Sequence, residues 1–126
     1  MLKWFKKDKP FVGPDFSAVD SLEKAEELFR KGELHKLLLL PAEFGGQDVP
    51  ENVVYVPEIA IQMKAQVDFD IIGPMIEQGT VRRYQAVPEY EGNSFVPSSI
   101  KVVAYDPGRF EASLDIWGKA VQPDKQ

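Results

Sequence analysis

The chain has 126 residues, 44% of them apolar and 28% charged, with a net charge of −5 and no cysteine. That length fits one domain able to bury about two-thirds of its unfolded surface, and the composition excludes bulk disorder. No apolar run approaches the roughly 20 residues of a membrane-spanning helix, and the lack of cysteine excludes disulfides, thiol nucleophiles and cysteine-based zinc sites.

Residues 1–16 read as a basic, extended lead-in, with two prolines and a glycine in DKPFVGPDF. A helix is predicted next, opened by a capping box over Asp20-Ser21-Leu22-Glu23. Leu22, Ala25, Leu28 and Phe29 fall on one face and Gly32 supplies the stop. Leu34–Leu40 reads as a strand. Four consecutive leucines call for cover on both faces, which places this strand centrally in a sheet. Pro41 ends it, residues 42–52 form a loop of functional length, and Val53–Val56 is a short β-branched strand.

Pro57 suits the start of a second helix. Its apolar stripe is Ile59, Met63, Val67 and Ile71, extended by Ile72, Met75 and Ile76, with a break or kink expected at Gly73-Pro74 and an end at Gly79. Three strands follow: Thr80–Tyr90, interrupted near Pro88; Ser99–Asp106; and a strand from Phe110 in which Phe110, Ala112, Leu114 and Ile116 alternate with Glu111, Ser113, Asp115 and Trp117. The turns are Glu91-Gly92-Asn93-Ser94 and Asp106-Pro107-Gly108-Arg109. The order α-β-β-α-β-β-β gives an α+β fold: a single globular domain over residues 17–121, mostly antiparallel sheet with two packed helices, and a loose tail at 122–126.

Charge is uneven along the chain. Residues 1–9 carry +3, leaving −8 for residues 10–126. An acidic body repels phosphate backbones and attracts a basic protein surface, so nucleic acid is disfavoured as a partner. Contact with a membrane is expected only as a weak touch by residues 1–9, where Leu2, Trp4 and Phe5 sit among lysines. The start lacks the apolar segment of a signal peptide, so a cytoplasmic location is expected.

Few residues offer chemistry. His35, the single histidine, stands on a strand without a nucleophile elbow nearby and reads as structural. Glu43, Asp48 and Glu51 crowd the central loop, where acids can bind a cation or do acid–base work, but they lack the spacing of a calcium loop. Asp68 and Asp70, two apart on a helix, diverge. Gly45-Gly46 has no phosphate-binding pattern around it and serves a turn. Arg82 and Arg83, beside Tyr84, point to opposite faces of a strand, so one of them at most fits a given patch. No cofactor or metal is expected.

Phe44-Gly45-Gly46, then Asn52 ahead of VVYVP, and above all PEYEGNSFVPSSI at residues 88–100, give residues 36–105 a resemblance to the non-specific DNA/RNA endonuclease domains of bacterial toxins, of the ββα-metal (His-Me finger) class. The resemblance implies a strand with a catalytic histidine, and that position falls on Leu38. The Asp and Gly before it fall on Lys36 and Leu37, and the metal-side asparagine on Asn52. A leucine cannot activate water, so the resemblance implies a nuclease-like fold without its catalytic group.

The resulting expectation is a non-catalytic protein-interaction domain with a partner surface at Glu43, Asp48, Glu51 and Asn52, all exposed, and Phe44 half-buried as the loop's anchor. Two alternatives stand beside it: an immunity-type inhibitor of a basic toxin, favoured by charge, and a hydrolase in which Glu43, Asp48 and Glu51 converge.

Overall fold

The computed structural model describes residues 14–122. The expectations for residues 1–9 and for most of the C-terminal tail lie outside the described residues. The fold is α+β, with two antiparallel sheets packed by helices around one apolar core. Among the described residues no helix is long and apolar enough to cross a membrane.

Helix α1 is Leu22–Arg30. Ser21 caps it, its Oγ accepting the Lys24 backbone N–H at 3.1 Å. The cap is thus one residue later than a box built on Asp20 requires, and Asp20 pairs with the Lys24 ammonium instead, at 2.7 Å. Ala25 is fully buried and Leu28 packs against the core, whereas Leu22 and Phe29 remain exposed at the edge of the stripe.

Strands β1 (His35–Leu38) and β2 (Val53–Val56) pair antiparallel, His35 opposite Val56 and Leu38 opposite Val53. They form a separate two-stranded sheet, so the leucine run is not central in a larger one. The run is covered by other means. Leu37 enters the core and Leu39, beyond the strand, packs against it, while Leu40 borders a hollow with Phe44 and Tyr84. The central strand of the larger sheet is Ser99–Pro107.

The segment after β2 is helical from Glu58 to Glu77: α2 (Glu58–Ala65), a π-helical stretch Gln66–Ile72, and α3 (Gly73–Glu77). Of the break or kink expected at Gly73-Pro74, there is no break: the helix runs on into α3 through the π-helical stretch. The Gly73 N–H reaches back five residues to the Asp68 carbonyl. This wider turn lets the helix admit a residue without a backbone N–H, and the flanking dihedrals stay helical. The inward line is also offset by one position from the apolar stripe. It runs Ala60, Lys64, Asp68, Ile72, all buried, while Ile59 is 52% exposed and Ile71 39%. Met63, Val67 and Met75 pack beside it, half-buried.

Strands β3 (Val81–Glu89), β4 (Ser99–Pro107) and β5 (Arg109–Asp115) form the second sheet in that order. Pro88 does not interrupt β3; it pairs with Ile100. β3 is an edge strand, where a missing N–H costs little. Ile100, Val102, Ala104 and Leu114 face the core, and Lys101, Glu111, Ser113 and Asp115 face outward. Trp117 departs from the expected alternation. β5 ends at Asp115, the Ile116 N–H turns to the Ser98 carbonyl, and Trp117 goes inward at 2% exposure, its Nε1 donating to the Val96 carbonyl at 3.0 Å. Residues 94–100 are the junction that receives it. The Ser94 hydroxyl donates to the Phe16 carbonyl and the Phe95 N–H to the Val19 carbonyl, both at 2.7 Å, and Val96 to Ser99 are buried. Phe16 closes on Trp117 edge-to-face at 5.9 Å.

Trp117→Ala is expected to cost about 3–5 kcal/mol in urea denaturation. Ser113→Ala, on the outward face of β5, should stay within about 0.5 kcal/mol. Equal effects would contradict this placement of Trp117.

Candidate functional site

The loop between β1 and β2 is structured from within. It contains two short 3-10 turns, Ala42–Phe44 and Pro50–Asn52, so it is not the element-free connection its composition suggests. Gly45 has φ +99°, a conformation L side chains rarely adopt. Gly46 lies so close to Leu40 that an added Cβ would land on the Leu40 carbonyl oxygen. Asn52 closes the loop. Its Oδ1 accepts the Leu40 N–H at 2.8 Å, and its Nδ2 donates to the carbonyls of Leu40 at 2.9 Å and Gln47 at 3.0 Å. Asn52 is therefore half-buried and structural, not exposed, because its amide supplies three bonds that the loop backbone has no other way to make. This corrects its expected exposure.

Glu43, Asp48 and Glu51 are exposed as expected. Asp48 takes a hydrogen-bonded ion pair from Lys36 at 3.0 Å, and this pairing raises the Lys36 pKa. The three acids do not converge. Glu43 stands beside Phe44, whereas Asp48 borders a hollow formed with Leu22, Pro50 and Tyr55. Among the described residues no three His, Asp or Glu side chains gather closely enough to hold a metal ion. Asp68 is buried and Asp70 exposed, so the two diverge as their spacing requires.

Beneath the loop lies a polar cluster that sequence reading missed. Lys64 and Asp68, 1% and 2% exposed, form an ion pair at 2.6 Å. The Lys64 ammonium also donates to the Tyr84 hydroxyl at 2.8 Å, and that hydroxyl donates to the other Asp68 oxygen at 2.7 Å, with the Leu39 carbonyl at 3.3 Å. Their spacing of four puts Lys64 and Asp68 on one helix face, and Tyr84 reaches them from the start of β3. Phe44 roofs the cluster, its ring 5.5 Å from that of Tyr84 and 5.8 Å from that of Phe69. Burial lowers the Lys64 pKa, opposed by the Asp68 pairing, and burial together with the Asp68 charge raises that of Tyr84. The only sequence signal was a lysine and an aspartate four apart, which ordinarily marks a solvated face.

Two hollows flank the Phe44 roof. One, of about 200 Å³, lies between β1, the Ala42–Phe44 turn and the helix, and is bordered by Leu38, Glu43, Ile61, Phe69, Lys64 and Asp68. The other, of about 430 Å³, is bordered by Leu40, Ile76, Tyr84, Arg82 and Arg83. Both arginines reach it, contrary to the expectation that one at most could share a patch, because the hollow wraps the end of an edge strand. Arg83 also pairs with Asp106 at 3.3 Å.

Comparison with known proteins gives no significant match to a family model, a curated protein or a solved structure.

Asn52→Ala should destabilise by about 1–3 kcal/mol in urea denaturation, since it orphans the Leu40 N–H, while Glu51→Ala stays within about 0.5 kcal/mol. Tyr84→Phe should cost about 2–3 kcal/mol at neutral pH. The folded-state pKa of Tyr84 is raised above its ordinary 10.0. Its contribution is therefore full below that value and is lost as pH rises toward the folded-state value. The stability gap between wild type and Tyr84→Phe should narrow above about pH 10. A gap that stays constant to about pH 11 would contradict the buried phenol.

Proposed function

We propose that the chain is a non-catalytic protein-interaction domain whose contact surface is the outer face of residues 42–51, and that its partner is a basic protein. One observation carries this reading. The loop is held from inside by Asn52, Gly46 and Phe44, yet Glu43, Asp48 and Glu51 all project from it. A loop whose backbone is already fixed loses little conformational freedom on binding. The negative balance of the chain steers a positive surface toward it.

A nuclease-like origin is part of the proposal. Its support is the order β1-β2-helix over residues 35–77 and the resemblance that puts Leu38 where the family has its histidine. Leu38 borders an apolar hollow, and a hydrocarbon side chain there cannot take a proton from water. An immunity-type inhibitor is the special case in which the basic partner is a toxin.

Exchanging Asp48 and Glu51 for lysine should change stability by no more than about 1 kcal/mol, because exposed ion pairs contribute little. In pull-downs from the native cell, the wild-type protein should retain a basic protein in stoichiometric amount. The charge-reversed variant should retain it poorly, with a flatter salt dependence. Retention by the variant at low salt equal to that of wild type would overturn the surface assignment. Cleavage of plasmid or RNA in magnesium or manganese by wild type, lost in His35→Ala, would overturn the non-catalytic reading.

A further inference from the structure

The buried meeting of Lys64, Asp68 and Tyr84 holds an amine and a carboxyl group together in two ways. The Lys64 ammonium donates directly to Asp68 Oδ2 at 2.6 Å. It also donates to the Tyr84 hydroxyl at 2.8 Å, and that hydroxyl donates to Asp68 Oδ1 at 2.7 Å. A hydroxyl placed in this way accepts a proton on one side and releases one on the other. The Lys64 and Asp68 side chains are each 2% exposed, so little water competes for either. Their spacing of four keeps them side by side on one helix face, and a bond between them does not require the helix to unwind.

We propose that this is a self-modification site, at which Lys64 and Asp68 join in an isopeptide bond promoted by Tyr84. The ion pair is the state from which the bond forms. Lys64 passes one proton to the Tyr84 oxygen as Tyr84 passes its own to Asp68 Oδ1, which leaves a neutral amine against a carboxylic acid. The Nζ lone pair attacks Cγ. The Nζ–Cγ bond forms and the Cγ–Oδ1 bond breaks. Oδ1 leaves as water, taking a second Nζ proton through the same hydroxyl. An ammonium and a carboxylate become one amide and one water, and no metal, oxidant or co-substrate is consumed. Three conditions favour the step. The reacting groups are already held together, which raises their effective concentration far above that of separate molecules. Burial lowers the Lys64 pKa against the opposing pull of Asp68, which favours the neutral amine. The product replaces two buried charges by a neutral group, so the cost of keeping them out of water is relieved. The amide oxygen still accepts from Tyr84, so the contacts of β3 and of the Phe44 roof are kept. The bond ties the last turn of α2 to the π-helical stretch. The proposal does not depend on the protein-binding reading.

The test is mass spectrometry of the full chain, intact and after denaturation and digestion with trypsin. The intact mass should be one water below that required by the sequence. Trypsin should cut after Lys36 and Arg82 but not after Lys64, so that Leu37 to Arg82 stays in one piece whose fragments remain joined at Lys64 and Asp68. Water lost instead by cyclisation of an aspartate onto the backbone leaves Lys64 open to trypsin. Lys64→Arg should restore the full mass. In samples taken from the start of cell-free synthesis, Tyr84→Phe, checked as folded by its amide NMR spectrum, should form the bond at least about tenfold more slowly than wild type. The proposal is overturned if the wild-type chain has its full mass and is cut after Lys64, or if the missing water persists in Lys64→Arg. A folded Tyr84→Phe variant that bonds at the wild-type rate overturns the relay through the hydroxyl. Should either variant fail to fold, the wild-type digest decides.

Discussion

Three parts of the chain meet at the ion pair between Lys64 and Asp68, and each would be placed differently without it. Two charges at 1% and 2% exposure are costly to remove from water, and their attraction repays that cost only when the geometry is close and the remaining hydrogen-bonding groups are used. Tyr84 meets the requirement, accepting from the ammonium and donating to the carboxylate. In doing so it fixes the start of β3 against the helix. The Leu39 carbonyl, at 3.3 Å from the same hydroxyl, brings in the chain as it leaves β1. Phe44 then covers the cluster, so the loop's conformation and the burial of the charges depend on each other.

That dependence explains why the long loop after the leucine run is ordered. Its backbone groups are spoken for by Asn52 and by the two 3-10 turns, its sharp reversal by Gly45 and Gly46, and its apolar attachment by Phe44. The outer surface is left to Glu43, Asp48 and Glu51, of which Asp48 holds an exposed ion pair with Lys36. Exposed side chains that contribute little to stability and project from a fixed backbone are suited to recognition, and this separation of an internal structural face from an external acidic face underlies the proposed protein-binding role.

The segment at residues 88–100 is organised by hydrogen bonds to three other parts of the chain. Gly92 allows the turn at φ +59°, the Ser94 hydroxyl reaches the Phe16 carbonyl, the Ser98 carbonyl receives both Ile116 and Trp117, and Val96 holds the indole N–H. Each of these residues has a packing or hydrogen-bonding task in this chain.

From the sequence by itself, the elements and their order could be read, because they rest on local chemistry: Gly32 as a left-handed helix stop, a glycine in the left-handed region at Gly45, and strict alternation along β5. The exposure of the loop acids and the half-burial of Phe44 followed from the same local rules. The tertiary structure alone decided which helix face turned inward. Ile59 and Ile71 carry the stronger apolar signal, but the line through Lys64 and Asp68 is buried, and a lysine four residues before an aspartate is stable inside only if a third group completes it. That group is Tyr84, sixteen residues beyond Asp68, on a strand whose position no local pattern encodes. The same limit applies to Pro88, tolerated because β3 lies at an edge; to Trp117, turned inward because β5 ends two residues before it; and to Asn52, drawn inside by the backbone of Leu40. In each case the deciding partner is distant in sequence, and periodicity records only which residues prefer burial, not which of them find the contacts that make burial favourable.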